Sequence, residues 1–405
     1  MWRIVRADPK DYREIVTLSN LCFPEDRGAV ELRWCHVWGG HLSRPSSEYL
    51  DNFFLAKESS RIVGMVAVCP MTLQWAGEAI QVGGISAVAT HPDHRGRGIM
   101  TELLGRADRV MAGRGDVISV LGGDRSRYGR FGWEHVGSSP ELFFSGKYLE
   151  RLPDVGDAAA ARPRLVDHRD APTLARILAL HERGDPRFAR TPEQIAVLAQ
   201  RRGVQFWCLD AEGTAGPRAA GGRELAGYIG SRDSAVKEWG GDTRAVLALF
   251  RWFARMKGAE ELKVSVPARF DEQTEAVFRE AEAYRMGRVC SLKILRFREL
   301  MQKLSPALSR QPPPSRGCGE RLRLEVEESG QAVTLACEAS AVHVIPEEAG
   351  GRSGEPERLR LPRRDMARLL FGPFVEGLIP EGHPGRPVLL SLFPLPLSCS
   401  EIDLV

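Results

Sequence analysis

VGGISAVATHPDHRGRGIMTELL, from Val82 to Leu104, is the stretch whose reading decides the fold. It begins as a strand. Ile85, Ala87 and Ala89 alternate with Ser86 and Val88 until the turn formers His91-Pro92-Asp93 stop the run. The basic loop Arg95-Gly96-Arg97-Gly98 follows. Then the period becomes helical: Ile99, Leu103, Ala107 and Met111 recur at i, i+4, with Met100, Leu104 and Val110 on the same side. Two arginines at a helix N-terminus sit where the backbone dipole is already positive. That is mildly unfavourable unless an anion docks there. The neighbouring glycines let backbone N–H groups close on a phosphate, and the arginines add charge.

Working outward, 405 residues exceed one core, so two or three domains are expected. Apolar residues at 43% and charged residues at 27% are those of a globular chain. A net charge of +3 does not suit a dedicated nucleic-acid binder. The cysteines are Cys22, Cys35, Cys69, Cys208, Cys290, Cys318, Cys337 and Cys399. None forms a CxxC pair and no histidine cluster joins them, so no metal is expected, and scattered thiols fit a reducing cytoplasm. MWRIVRADPKDY lacks the apolar core of a signal peptide. No run of about eighteen apolar residues offers a membrane span; Val388 to Leu397 is broken by Pro394 and Pro396.

Along the chain, Trp2 to Arg6 reads as a strand, and Asp8-Pro9 as a cap opening a helix to about Asn20. After the break Phe23-Pro24-Glu25-Asp26 comes an amphipathic segment, Glu31 to Trp38. Phe53 to Lys57 and Ile62 to Trp75 are strands, and Ala76-Gly77-Glu78 is a hairpin turn. Asp116 to Leu121 is a further strand leading to Gly122-Gly123-Asp124, and Arg125 to Trp133 closes the unit. Tyr128 in that turn has a phenol that is protonated at neutral pH and can serve as a general acid.

The small-residue linker 153–163 follows, and the opening pattern then repeats. RLVDHRDAPTLARIL (164–178) echoes IVRADPKDYREIVTL (4–18), and ELAGYIGS (224–231) echoes RIVGMVAV (61–68). Where the basic loop would fall stand Trp239 to Thr243, with Asp242 capping a helix to about Lys257. An acidic cap repels phosphate, so this copy is expected to be structural. A second linker, Gln311 to Ser315, precedes strands at Arg321–Glu327 and Val333–Glu338 and a helix at Arg363–Phe371. Glu347 to Glu357 reads as a loop.

Arg95-Gly96-Arg97-Gly98-Ile99-Met100, between a strand and an amphipathic helix, resembles the pyrophosphate loop of GNAT acetyltransferases, Arg/Gln-x-x-Gly-x-Gly/Ala. Arg95 and Gly98 fit, and Met100 replaces the last small residue. Tyr128 with Phe131-Gly132-Trp133 fits the family's Tyr-x-x-Phe-Gly-Trp/Tyr. The order of segments is similar to the enhanced intracellular survival (Eis) family of bacterial N-acetyltransferases. The resemblance implies an α/β (α+β) chain of two tandem GNAT-like domains and a sterol-carrier-like one. The expected domains are a catalytic one at 1–152, a structural copy at 160–304 and the sterol-carrier-like one at 318–405.

The resemblance further implies acetyl transfer from acetyl-CoA to a primary amine by direct attack, since no cysteine stands near the loop in sequence. It implies cofactor contacts at Ala87, Val88 and Ala89 through the backbone, at Arg95, Gly96, Arg97, Gly98, Ile99 and Met100, and at Gly123 and Asp124. The splayed ends of two neighbouring strands would admit the pantetheine arm, paired to the strand edge. Asp26 could attract the cationic amine. No histidine is an obvious base. In the family the base is the terminal carboxylate, here Val405. A cytoplasmic homo-oligomer, a hexamer by resemblance, is expected, with a small amine or a protein lysine as acceptor and neither nucleic acid nor membrane as partner. The rival reading is an inactive acetyl-CoA sensor or scaffold.

Overall fold

The computed structural model describes residues 1–23, 50–155, 162–200, 203–211, 224–266, 271–311, 321–338, 341–347, 357–398, 400 and 402–403. The expected segment Glu31–Trp38, together with Asp26 and Val405, lies outside the described residues. The fold is mixed α/β, with three sheets among the described residues.

The first sheet has eight strands. Its order is β1 (Trp2–Arg6), β2 (Phe53–Glu58), β3 (Arg61–Trp75), β4 (Glu78–Thr90), β5 (Ile118–Leu121), β15 (Cys290–Ile294) and β6 (Glu134–Val136), with β9 (Arg187–Phe188) beside β3. Ala76 and Gly77, at φ 52° and 88°, make the β3–β4 hairpin turn, the left-handed pair that matches strand twist. Helix α1 (Tyr12–Cys22) follows a short turn capped by Asp8, whose side chain accepts from the Lys10 N–H. Helix α2 (Ile99–Arg114) ends at the left-handed Gly115. Its stripe of Ile99, Leu103, Ala107 and Met111 is buried against Phe54, Val66 and Val68. Gly64 permits that approach: a β-carbon there would meet Leu103 Cδ1 at 3.1 Å.

The second sheet has seven strands. They run β14 (Ala283–Gly287), β7 (Ser139–Ser145), β13 (Glu261–Ser265), β12 (Ala235–Gly241), β11 (Leu225–Arg232), β10 (Val204–Asp210) and β8 (Arg164–Leu165). Its helices include α3 (Ala171–His181) and α4 (Thr243–Lys257), capped by Asp170 and Asp242. The two sheets exchange strands. β7 leaves the first sheet to pair with β13 and β14, and β15 returns to lie antiparallel between β5 and β6. On β15, Lys293 lies 4.4 Å from the Trp133 ring centroid and reaches Asp108 of α2 at 2.8 Å.

The third sheet runs β18 (Val342–Glu347), β17 (Ala332–Cys337), β16 (Arg321–Val326) and β19 (Glu357–Leu361). Helices α5 (Phe297–Ser309) and α6 (Arg363–Phe371) share one core with it and with the far end of the first sheet, where Trp75 meets Phe371 at 5.9 Å. Among the last described residues, Ile402 and Asp403 lie against the second sheet. Ile402 is buried among Val166, Ile177, Phe206 and Tyr228. Asp403 joins the buried pair Arg190–Glu238, with Arg190 Nε 2.6 Å from Asp403 Oδ1 and Nη2 2.6 Å from Glu238 Oε2.

Candidate active site

β4 pairs with β5 in parallel only from Val82↔Ile118 to Ile85↔Leu121. Beyond Ile85, β4 continues to Thr90 with no described strand on that side. A bulge opposite Val66 marks the parting, with Ala87 in the left-handed region at φ 53°. Such a conformation is costly for a non-glycine residue and clusters at functional sites. A cavity of about 590 Å³ opens there. Its walls are Val88, Ala89 and Thr90 of β4, the loop, the start of α2, Tyr128, and Cys22 and Phe23 at the end of α1.

The loop has the backbone geometry and charge that could hold an anion. Gly96 and Gly98 have φ of 76° and 85°, and a β-carbon on either would meet nothing within 4 Å. Backbone conformation, not crowding, therefore requires glycine. Gly98 is the N-cap of α2, and no side chain caps it. The first-turn N–H groups of Ile99, Met100 and Thr101 lack intrahelical acceptors and stand at the cavity wall. Arg95 lines the cavity. Arg97 does not: its Nη2 lies 3.1 Å from Glu58 Oε1 and its guanidinium 5.3 Å from the Trp2 ring centroid.

Glu58 is the anchor of this loop. It also meets His94 Nε2 at 3.0 Å and the N-terminal ammonium at 3.2 Å. Those partners, His94 first, hold its carboxyl down at about 2. His94 lines the cavity, and its buried Nδ1 has no hydrogen-bond partner among the described residues.

Tyr128 is 7% exposed. Burial lifts its phenol above its ordinary value, and the Arg127 guanidinium offsets only part of that. Gly123 and Asp124 are not walls of the cavity. Gly123 supports the Tyr128 ring, and Asp124 begins the helical turn Arg125–Tyr128 that presents it. The turn is braced by Glu134, which takes Arg125 Nη2 at 2.9 Å and, from α6, Arg364 Nη2 at 2.5 Å. Burial raises the Glu134 carboxyl, but these hydrogen bonds outweigh it and leave it below its ordinary value.

Sequence order hid several of these residues. Cys22 stands far from the loop in sequence, yet α1 packs on β3 and β4 and brings the thiol to the cavity, 3.5 Å from the Thr90 carbonyl. Burial raises its thiol and Arg95 opposes that rise only partly, so the neutral form is favoured. Glu58 and Arg364 were likewise unmarked by any motif, whereas His94 lies within the loop stretch itself.

Residues 3–136 match the family described as acetyltransferase (GNAT) domain. The chain thus carries a GNAT acetyltransferase domain, and the protein is an acyltransferase. Solved structures resemble the whole chain. A GCN5-related N-acetyltransferase from Kribbella flavida matches over 100% of this chain and 98% of its own, with TM-score 0.66 and 18% identity. One from Anabaena variabilis gives the same score and identity over 100% of both chains. Eis1 from Mycobacterium abscessus matches over 98% and 99%, with TM-score 0.58 and 15% identity. At these identities the likeness speaks for the fold. No curated protein matches the chain. No described helix is long and apolar enough to cross a membrane.

Proposed function

We propose that the protein transfers an acetyl group from acetyl-CoA to a primary amine by direct attack in a ternary complex. The observation that carries this reading is the junction of three features at one cavity: a β4 edge with no described strand beside it, a helix N-terminus without a side-chain cap and the Tyr128 phenol. The β4 edge hydrogen-bonds the amides of the pantetheine arm as another strand would. The N–H groups of Gly98 to Met100, with Arg95, hold the pyrophosphate. Tyr128 hands its proton to the departing thiolate, because burial keeps it protonated. The raised thiol of Cys22 argues against an acetyl-cysteine route.

The attacking amine must first lose a proton. We assign that step to the Val405 carboxylate. This reading rests on the family resemblance; Asp403, clamped by Arg190, is the last described residue before it. Asp26 is the proposed ammonium contact.

We read the second sheet and its helices as a GNAT-like copy that binds no cofactor. Asp242 accepts from the Ala245 N–H at 3.0 Å and fills its own helix N-terminus. Trp239 Nε1 donates to the Ser265 carbonyl at 3.1 Å, bridging the gap where β12 and β13 part. The third sheet is read as sterol-carrier-like, and the protein as a cytoplasmic homo-oligomer.

The experiment is thiol release from acetyl-CoA with a panel of polyamines, aminoglycosides and lysine peptides. Turnover with at least one amine is expected. Tight acetyl-CoA binding with no turnover on any would favour the sensor instead.

A further inference from the structure

At the other end of α2 a second cavity, of about 420 Å³, lies between the helix and the outer strands of the first sheet. Arg106, Arg109 and Arg114 reach it from α2, and Arg6 reaches it from β1. Asp51 is the single acid on its described walls.

Arg114 is already satisfied. Its Nη2 meets Asp116 Oδ2 at 2.6 Å, and its Nη1 donates to the Val68 carbonyl at 3.3 Å. The other three differ. Among the described residues no carboxylate lies within ion-pair distance of Arg6, Arg106 or Arg109. Elsewhere this chain answers clustered arginines with acids, as at Arg125 and Arg364 around Glu134. The arginines here are also oriented. Arg6 and Arg106 lie 5.8 and 5.4 Å from the centroid of the Phe54 ring, which is 1% exposed. That ring holds both guanidinium carbons at cation–π distance. Arg6, Arg106 and Arg109 are exposed, so solvent and the helix C-terminal dipole offset part of their mutual repulsion; a polyanion that meets several of them at once would offset more.

We propose that this cleft is a second anion site, which binds a small polyanion bearing adjacent phosphate or carboxylate groups. Guanidinium forks match both groups in shape and charge. The volume suits several such groups, and Phe54 is too deep to stack on a nucleobase, so charge is what the cleft reads. No wall residue is shared with the cavity at the loop. From Met100 to Val110 the helix rises about 15 Å. The site is independent of the catalytic assignment above.

The test is calorimetric titration of the full chain with tripolyphosphate and, separately, citrate. Each titration is run with saturating acetyl-CoA, so that the loop is filled, and repeated on Arg95→Ala protein without it. One saturable event is expected in both formats, weaker in high salt. The tighter probe separates phosphate from carboxylate. Arg106→Gln with Arg109→Gln should weaken it tenfold or more, about what one charge-assisted contact is worth. Glutamine keeps the helix propensity, and an unchanged melting temperature verifies the fold. The exposed pair Arg255→Gln with Arg279→Gln should leave affinity unaltered. Absence of saturable binding in both formats, or equal weakening by both pairs, would overturn the proposal.

Discussion

The ring of Tyr128 rests directly on Gly123: a β-carbon on that glycine would stand 2.8 Å from Tyr128 Cδ2. The glycine is there for space, since its backbone is outside the left-handed region. Gly123→Ala should therefore displace the phenol while leaving the loop alone. The expected result is a fall in turnover of about tenfold to a hundredfold, the scale of a displacement near 1 Å, with acetyl-CoA affinity unchanged by calorimetry.

Tyr128→Phe should bind acetyl-CoA normally and lose about a hundredfold in turnover. The sign of the pH effect follows from the raised phenol. A folded-state pKa above the ordinary value near 10 keeps the acid protonated through neutral and mildly alkaline pH. Its stabilising effect is intact below about pH 10 and fades as pH climbs through the folded value. Thermal melts above pH 10 should fall more steeply for the wild type than for Tyr128→Phe.

Arg95 and Arg97 should separate. Arg95→Ala removes a charge-assisted contact worth roughly 1.5–3 kcal/mol of acetyl-CoA affinity. Arg97→Ala removes an exposed pair with Glu58 and a contact with Trp2, so its main effect is a small loss of stability that high salt diminishes. Equal loss of affinity in both variants, by calorimetry, would refute this division.

Arg190→Met should leave Glu238 and Asp403 buried and uncompensated. A cost of about 3–5 kcal/mol is expected for breaking such a group. Urea unfolding measures it. Adding Glu238→Gln and Asp403→Asn to the same protein should recover much of the loss, because the stranded charges are then gone.

Two glycines appended after Val405 should abolish acetyl transfer and spare acetyl-CoA binding, because the carboxylate is moved past its position. Full activity in the extended protein would send the proton elsewhere.

The legible parts of this chain are local. The period change at Gly98, the turn at Ala76-Gly77, the Asp242 cap and the Tyr128 turn each depend on a few adjacent residues, and each lies where its pattern predicts. Arg97 shows the limit of such reading: its place in the loop was clear, but the acid that turns it aside stands on β2. Cys22 and Arg364 reach the site through packing across long sequence separations, which no spacing encodes. The strand exchange was also hidden. SPELFFS (139–145) and CSLKI (290–294) look like strands, yet nothing in either says which sheet will take it.

That exchange makes the two halves hostages of each other. A fragment ending at residue 152 would hold β5 and β6 with an empty slot where Cys290–Ile294 belongs. Both strands would then present raw edges to solvent and to other chains. The complementary fragment would lack the strand that joins β13 to β14. On the ribosome, β5 and β6 emerge long before their shared neighbour exists. The nascent chain must carry that open seam until Cys290–Ile294 has been made, so completion of the first sheet is postponed by the order of synthesis itself.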